Sequence, residues 1–348
     1  MAPRFSVLIP THNRSRLLRL SLSSVLAQTE QDFEVLVVGD GCTDDTADMV
    51  AAFADSRIRW FDLPKAPNFG YANRNVALRQ AIGTYIAYVT DDDLVFPDHL
   101  ALLAATLETS GAEWVYGRPL WVTPEGLVVP FASNLLNIDE LEIFVTSRNH
   151  IPSSCVMHRR SCLEKYGYWP EEVASAGDWR YWIRIIEGGG HTNLGCCLLP
   201  TTLHFNASWK VTPDTQMPQV TAAREVAAAS SWWPATLKVA IPPGRAEQEV
   251  FYELIQQDGH INRLRRDVAR VIDRLAWMQL DETPDFAQKL LLQREELAEK
   301  AGNLMRLKTE VDALQRQLAA VYASTSWRWA APLRVLGRIG RRIGTRRG

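Results

Sequence analysis

One stretch of the chain constrains its fold more than any other: a short apolar run that leads into three consecutive acids. Residues 85–89 are rich in β-branched and aromatic side chains, and one residue later come Asp91, Asp92 and Asp93. The apolar run predicts a buried β-strand. Adjacent carboxylates repel one another and are costly to bury, so at a strand end they need a cation, several amide donors or open water.

Two interpretations of the acids follow from this. In open α/β sheets ligands bind at the carboxyl ends of the strands. A divalent metal that holds a diphosphate would satisfy the acids there, because Mg and Mn prefer hard oxygen ligands. The alternative is a solvated acidic turn before Pro97, since acid-rich turns are common.

The chain around the acids alternates between apolar runs and helical periodicity. This rhythm predicts βαβ units, and therefore an α/β fold with a mostly parallel sheet flanked by helices. Strands are predicted at residues 5–9, 33–38, 57–61, 113–116 and 127–131, and helices at residues 17–26, 71–81 and 99–109.

Composition argues against several classes of protein. The formal net charge of −2 disfavours a nucleic-acid-binding protein. No apolar run reaches the roughly 18 residues of a membrane span, and the first residues do not have the pattern of a signal peptide. The five cysteines match no zinc-ligand spacing, which predicts reduced packing thiols in a cytoplasmic protein.

Four segments of the first hundred residues form a recognisable pattern: residues 6–14 (SVLIPTHNR), 34–46 (EVLVVGDGCTDDT), 68–75 (NFGYANRN) and 83–97 (GTYIAYVTDDDLVFP). In this order they resemble family 2 glycosyltransferases, which have the GT-A fold. The resemblance continues more loosely to about Ser208. It implies a nucleotide-diphosphate sugar donor, a divalent metal (Mn or Mg) and transfer to a hydroxyl acceptor with inversion at the anomeric carbon.

Carried over position by position, the resemblance assigns donor-binding roles. Pro10, Thr11 and His12 correspond to positions that hold the nucleotide. Asp40 does so too, and its carboxylate can accept from a base N–H. Arg74 would face the nucleotide or the diphosphate. The alternatives are a turn residue for Asp40 and a helix-surface charge for Arg74.

The resemblance places the metal at the acidic run. Asp92 corresponds to the usual metal-binding acid, with Asp91 near the ribose or the metal's outer shell and Asp93 in support. The candidate metal ligands are therefore Asp92, Asp93 and His204. Which carboxylate touches the metal is open by one position. His204 lies where GT-A enzymes often supply a metal ligand or a diphosphate contact, and its alternative is a structural histidine between apolar residues.

Asp178 matches the acid that serves as general base in the family, and its alternative role is a helix N-cap. Three positions depart from the family pattern: Gly39, Thr90 and Gly177 each stand where the family often has an acid. The departures at Thr90 and Gly177 leave open a rival function, a catalytically silent GT-A-fold binding or assembly protein. A dinucleotide-dependent oxidoreductase is disfavoured, because no Gly-x-Gly-x-x-Gly follows the first strand.

The predicted GT-A domain comprises residues 1–210, with a nucleotide-sugar-binding half at 1–98 and an acceptor half at 99–210. Residues 211–285 are predicted to form a helical linker region.

The last part of the chain has two further patterns. At residues 286–323 apolar residues recur every seven positions, which predicts a coiled coil and a route to a homo-oligomer; the alternative is a single amphipathic helix. Residues 324–348 hold many arginines and no acid, which predicts a basic amphipathic tail on an anionic membrane. An unstructured or protein-docking tail is the alternative. The tail resembles those of bacterial surface-polysaccharide glycosyltransferases, which implies a glycan or lipid-linked glycan acceptor at the inner face of the plasma membrane.

Overall fold

The computed structural model describes residues 2–190, 193–205 and 218–282. The chain divides into a compact unit, Met1–Arg274, and a second unit, Leu275–Gly348, of which only residues 275–282 are described. The predicted coiled coil at residues 286–323 and the predicted tail at 324–348 lie outside the described residues.

The described residues form eleven strands and ten α-helices. The strands are β1 (Phe5–Thr11), β2 (Phe33–Asp40), β3 (Ile58–Leu63), β4 (Tyr85–Tyr88), β5 (Leu94–Val95), β6 (Trp114–Gly117), β7 (Leu120–Val122), β8 (Val128–Pro130), β9 (Val156–Arg159), β10 (Leu194–Cys197) and β11 (Thr202–Phe205). The helices are α1 (Ser15–Leu26), α2 (Thr46–Ala51), α3 (Tyr71–Leu78), α4 (His99–Ser110), α5 (Ile138–Thr146), α6 (Ser161–Tyr166), α7 (Gly177–Gly189), α8 (Pro218–Ala229), α9 (Glu247–Ile255) and α10 (His260–Glu282).

Seven strands form the main sheet, in the order β10-β6-β9-β4-β1-β2-β3. Strand β1 runs parallel to β2 and β4, β2 parallel to β3, and β10 parallel to β6, whereas β9 is antiparallel to both of its neighbours. The central strands β1, β2 and β4 are almost wholly buried, as parallel strands covered on both faces must be. The prediction of an α/β fold with a mostly parallel sheet is confirmed.

The predicted elements are present with bounds that differ by no more than three residues. The largest difference is at the end of α3, which was predicted to reach Ala81 and stops at Leu78. The next residues form tighter turns, in which the Gln80 N–H donates to the Ala77 carbonyl and the Ala81 N–H to the Leu78 carbonyl. Apolar periodicity alone did not distinguish these turns from a further helical turn.

An aromatic cluster fixes α7 against the sheet. The buried Trp182 ring of α7 lies 5.0 Å from the Tyr88 ring, 5.8 Å from that of Trp169 and 6.2 Å from that of Trp114, measured between centroids. Such pairs add to the stabilisation that burial of the rings already gives. The helix that carries Asp178 is therefore held by large, fully packed side chains.

A smaller sheet, with strand order β5-β11-β7-β8, completes the edge where the acids lie. Strand β5 follows directly after Asp93 and pairs antiparallel with β11. This pairing brings His204, on β11, beside Asp93, although the two residues are 111 positions apart in the sequence.

Helices α8 to α10, up to Arg274, belong to the same compact unit as the sheets. Arg265 of α10 donates to the two carboxylate oxygens of Asp98, at 2.7 and 2.8 Å, and to the Pro200 carbonyl at 3.0 Å. Arg16 of α1 donates from Nε to Glu249 of α9 at 2.7 Å. The domain boundary at residue 210 stays a prediction, but the helices described after it pack on the preceding domain.

Two other properties concern the described residues. None of their helices combines the length and the apolar character that a bilayer crossing requires. All five cysteines are free thiols, and Cys155, Cys162 and Cys197 are buried.

The Arg265 contacts give a first prediction. Arg265→Ala should lower the free energy of unfolding by about 1–3 kcal/mol, because it removes charge-assisted hydrogen bonds from a side chain that is 12% exposed. Urea denaturation measures the change. Arg266→Ala, an exposed neighbour on the same helix, is the control and should change stability by less than about 0.5 kcal/mol. Equal effects of the two variants would contradict the docking of α10.

Candidate active site

Two neighbouring cavities open at the carboxyl ends of the central strands. The first, here the Asp40 cavity, has a volume of about 380 Å³, and the second, the Asp178 cavity, about 300 Å³. Pro10, Phe69 and Arg74 line both of them. Six of the predicted residues line the Asp40 cavity: Pro10, Thr11, His12, Asp40, Arg74 and Asp91. Asp178 lines the Asp178 cavity, together with Pro10 and Arg74. Asp92, Asp93 and His204 line neither cavity.

Asp40 is held in place by three donors. One carboxylate oxygen accepts from the Ala66 N–H at 2.8 Å and from Asn73 Nδ2 at 2.7 Å, and the other accepts from Lys65 Nζ. Burial acts to raise the pKa of Asp40, but the Ala66 amide, Lys65 and Asn73 outweigh it and hold the pKa below its usual value. An ionised carboxylate has about four acceptor sites, so Asp40 keeps capacity for a ligand donor.

The backbone beside Asp40 is also fixed by local contacts. His12 Nδ1 lies 2.8 Å from the Asp40 carbonyl oxygen, so this nitrogen carries the proton and donates. Gly70 has a φ of +73°, and a β-carbon there would lie 2.6 Å from an Asp40 carboxylate oxygen. Only glycine lets the chain pass this close in this conformation.

Asp91 and Asp92 share the guanidinium of Arg14. Arg14 Nη1 lies 3.1 Å from Asp91 Oδ1 and 3.2 Å from Asp92 Oδ2, and the Thr11 hydroxyl donates to Asp91 at 2.8 Å. Burial and the neighbouring Asp92 raise the pKa of Asp91 to about 6. Burial and Asp93 likewise raise the pKa of Asp92. Asp91 and Asp92 thus share the single positive charge of Arg14, and burial disfavours the ionised form of both carboxylates.

Asp93 is directed into the protein. Its carboxylate is fully buried, lies 3.0 Å from His204 Nδ1 and accepts from the Phe205 N–H at 3.1 Å. Burial acts to raise the pKa of Asp93, but His204 and the hydrogen bonds hold it below its usual value. His204 therefore donates from Nδ1, and Nε2 is the ring nitrogen that this contact leaves for another partner. With Asp91 6% exposed and Asp93 fully buried, the solvated acidic turn is wrong.

Arg74 lies between the two cavities rather than on a helix surface. It donates to the Phe69 carbonyl, and its guanidinium lies 5.2 Å from the Tyr71 ring centroid and 5.3 Å from that of Trp169. Burial lowers the pKa of Arg74, and the nearby Tyr71 and Asp178 oppose the shift. The guanidinium remains charged at neutral pH and faces both cavities.

Asp178 is the second residue of α7, and its two oxygens have protein donors. Ser153 Oγ donates to Oδ2 at 2.7 Å, and the Trp179 N–H contacts Oδ1 at 2.8 Å. The N-cap of α7 is Ala176, without a side-chain hydrogen bond, so the alternative role of Asp178 as a cap is wrong. The helix places this carboxylate in the wall of the Asp178 cavity.

Two of the departures from the family pattern have a packing cause. A β-carbon at Gly39 would lie 2.4 Å from the Trp60 ring, and one at Gly177 would lie 2.8 Å from the Tyr71 ring. An acid at either position would need its aromatic neighbour to move. Thr90 instead binds Ser154, whose hydroxyl accepts from the Thr90 N–H at 2.9 Å.

Several residues of the site were not predicted from the sequence. Arg14 and Asn73 lie inside two of the segments that resemble the family, residues 6–14 and 68–75, and a polar side chain within such a segment is the signal that could have identified them. Lys65 lies in a loop and Ser153 begins a short 3₁₀ helix, Ser153–Cys155; neither has a comparable signal, and only the fold brings them to Asp40 and Asp178.

The implied divalent metal can be tested against the donor set. No group of three or more His, Cys, Asp or Glu side chains in the described ranges is arranged to hold a metal ion. Asp91 and Asp92 nevertheless bring two carboxylates to one arginine, at an edge where a ligand could supply further oxygens. The residues fit a metal that is shared with a bound diphosphate.

Comparison with known proteins found a matching family model and similar solved structures. The model of the family "Glycosyl transferase family 2" matches residues 6–167. A solved structure, TarS 1–349 of S. aureus in complex with UDP-GlcNAc, is 21% identical, with 72% of this chain and 70% of that chain covered and a TM-score of 0.49.

Three curated relatives show how far the similarity extends. An uncharacterised glycosyltransferase of Rickettsia felis is 37% identical over 191 residues, 53% of this chain but only 30% of the relative. The Escherichia coli UDP-Glc:alpha-D-GlcNAc-diphosphoundecaprenol beta-1,3-glucosyltransferase WfgD is 30% identical over 128 residues, 37% of this chain and 50% of the relative. The Mycobacterium bovis PGL/p-HBAD biosynthesis glycosyltransferase is 35% identical over 191 residues, 53% of this chain and 71% of the relative. The chain therefore belongs to glycosyl transferase family 2.

Proposed function

We propose that the protein is an inverting, metal-dependent glycosyltransferase that moves a sugar from a nucleotide-diphosphate donor to a hydroxyl acceptor. The observation that carries this proposal is the position of Arg74. Its cationic side chain lines both the Asp40 cavity and the Asp178 cavity, so a diphosphate beside it would join a nucleotide on one side to a sugar on the other.

The nucleotide would occupy the Asp40 cavity. Asp40 is ionised, fixed by three donors, and able to accept from a base N–H. Pro10, Thr11 and His12 form the neighbouring wall. Because three donors already orient the carboxylate, little conformational freedom is lost when the base binds.

Asp92 and His204 would hold the divalent metal, Mn or Mg. Asp93 would then orient His204 rather than touch the metal, as carboxylates commonly do for metal-binding histidines. This assignment revises the prediction that Asp93 is itself a ligand. A metal bound there would stabilise the negative charge on the departing diphosphate.

Asp178 would act as the general base. It would take the proton of the acceptor hydroxyl while that oxygen attacks the anomeric carbon and the bond to the diphosphate breaks. The donors Ser153 and Trp179 each occupy one carboxylate oxygen, which leaves lone pairs for the acceptor hydroxyl. A single displacement of this kind inverts the configuration.

The acceptor is proposed to be a glycan or lipid-linked glycan of the cell surface. The E. coli relative is named for transfer to a sugar on diphosphoundecaprenol, and the M. bovis relative for PGL/p-HBAD biosynthesis. The basic residues 324–348 would bring the protein to the inner face of the plasma membrane, a hypothesis that the sequence alone supports.

The rival function, a silent assembly protein, relied on the departures at Thr90 and Gly177. Packing against the Tyr71 ring gives Gly177 a reason that does not require lost activity. Metal- and donor-dependent release of a free nucleoside diphosphate would distinguish the two functions.

Asp178→Asn should reduce sugar transfer at least about 100-fold, the lower end of what a general base contributes. Folding and donor binding should persist, because Asn keeps an acceptor for Ser153 or Trp179. Transfer from a panel of nucleotide sugars and thermal shift with UDP or GDP measure the two properties. Glu172→Gln, an exposed acid in the preceding loop, is the control. Loss of less than about tenfold, or failure of donor binding, would argue against a base.

Asp92→Asn and Asp93→Asn should separate metal binding from structural support. Asp92→Asn should abolish the stabilisation by Mn with UDP or GDP yet leave the metal-free protein folded, because burial already disfavours its charge. Asp93→Asn should lower the metal-free melting temperature, since the buried partner of His204 is lost.

Thermal melts with and without Mn measure both effects, and Asp48→Asn on the exposed face of α2 is the control. A normal Mn response in Asp92→Asn would place the metal elsewhere.

The acid cluster also predicts a pH dependence. The pKa of Asp91 rises from 3.8 to about 6 on folding, so the folded state binds its proton more tightly. Metal-free stability should therefore decrease as pH rises from about 4 to about 6. Mn binds the ionised form, so its stabilising shift should grow over the same interval. Melts across pH in wild type and Asp91→Asn test this: the decrease in stability should be smaller in the variant, and an equal decrease would contradict the raised pKa of Asp91.

A further inference from the structure

We propose that Tyr71 is a positioning residue for the reaction. It fixes the first turn of α7, and thereby sets where the Asp178 carboxylate lies relative to Arg74. The inference rests on the proposed function, since Asp178 must be the base for its position to matter. It adds a residue that contacts both the donor-facing arginine and the turn that carries the base.

The first observation is steric. Gly177 is buried, and a β-carbon there would lie 2.8 to 2.9 Å from Cζ, Cε1 and Cε2 of Tyr71. Non-bonded carbon atoms in folded proteins do not approach one another this closely. The Tyr71 ring can therefore pack against the Gly177 backbone only because position 177 has no side chain. Tyr71 is itself 5% exposed and begins α3, which limits how far its ring can shift.

The second observation is a hydrogen bond. Tyr71 Oη accepts from the Gly177 N–H at 3.1 Å. The first N–H groups of a helix have no partner within the helix, and the Ala176 N-cap offers no side-chain acceptor. Tyr71 thus supplies from another helix what a capping side chain would normally supply.

The third observation is backbone strain. Ala176 has a φ of +56°, a left-handed conformation that costs a residue with a β-carbon roughly 1–2 kcal/mol. Such a conformation persists only where the surroundings enforce it. The contact of Tyr71 with the next residue, Gly177, is one such constraint, and Asp178 follows immediately.

The fourth observation is on the donor side. The same Tyr71 ring lies 5.2 Å from the Arg74 guanidinium and 5.8 Å from the Trp169 ring. One aromatic side chain therefore packs against the cation that would face the diphosphate and against the turn that carries the base. Displacement of about 1 Å at such a site can reduce the rate about 100-fold.

The test is a pair of substitutions and a matched control. Gly177→Ala should lower kcat for transfer about 10–100-fold with a smaller change in the donor KM, because the base moves directly whereas Arg74 is disturbed only through the Tyr71 ring. Tyr71→Leu alone should lower kcat, because it removes the hydrogen bond to the Gly177 N–H. In the Gly177→Ala background it also makes room for the new methyl group and should recover at least about fivefold of the lost kcat.

Gly188→Ala is the control, at the other end of α7. A β-carbon there would lie 2.4 Å from the Tyr166 ring, so it creates a similar conflict in the same helix but far from Asp178. Its kcat should stay within about threefold of wild type at temperatures where the protein is folded, since strain alone does not move the base.

Urea unfolding of four proteins, wild type, Gly177→Ala, Tyr71→Leu and the double variant, tests the contact without any assay of transfer. Gly177→Ala changes the equilibrium constant for unfolding by some factor in each background. That factor should be at least about tenfold larger when Tyr71 is present than when leucine replaces it. Equal loss of kcat in both backgrounds, or an equal loss in Gly188→Ala, would overturn the inference. If wild type transfers no sugar although unfolding shows the coupling, the proposed function is wrong and so is the reaction role of Tyr71; the contact itself remains.

Discussion

The site depends on how the protein accommodates three adjacent carboxylates at the buried end of a central strand. Asp93 turns inward and is compensated by His204 and the Phe205 amide, whereas Asp91 and Asp92 share Arg14. This partition leaves two carboxylates with raised pKa values at one edge of the sheet. Charge that burial disfavours is stable only if something binds it, and a divalent cation shared with a diphosphate is the partner that the proposed chemistry supplies.

The rest of the fold brings the reacting groups to that edge. The aromatic cluster around Trp182 fixes the helix that carries Asp178, and the pairing of β5 with β11 brings His204 across to Asp93. Arg74 then connects the two cavities. The donor half and the acceptor half thus meet through packed side chains, and the contact of Tyr71 with Gly177 gives a packing reason for the glycine that stands where the family often has an acid.

The parts that the sequence predicted are those with a local signal. The strands β1, β2 and β4 are continuous apolar runs, and the residues of the Asp40 cavity lie in recognisable segments beside them. The contact between Asp93 and His204 was not predicted, because the two residues are 111 positions apart and His204 lies on a four-residue strand. The cap at α7 was also wrong, since the left-handed conformation of Ala176 and the hydroxyl of Tyr71 have no signature in the chain.

The central claim is that the acidic edge binds a metal together with the donor diphosphate. A crystal of the protein grown with Mn and UDP or GDP tests this through the anomalous scattering of Mn. We expect a single strong anomalous peak that contacts Asp92, His204 Nε2 and diphosphate oxygens, with Asp93 still hydrogen-bonded to His204 Nδ1. A peak contacted by Asp93, or a nucleotide bound away from Asp40 with no peak at the acids, would contradict it.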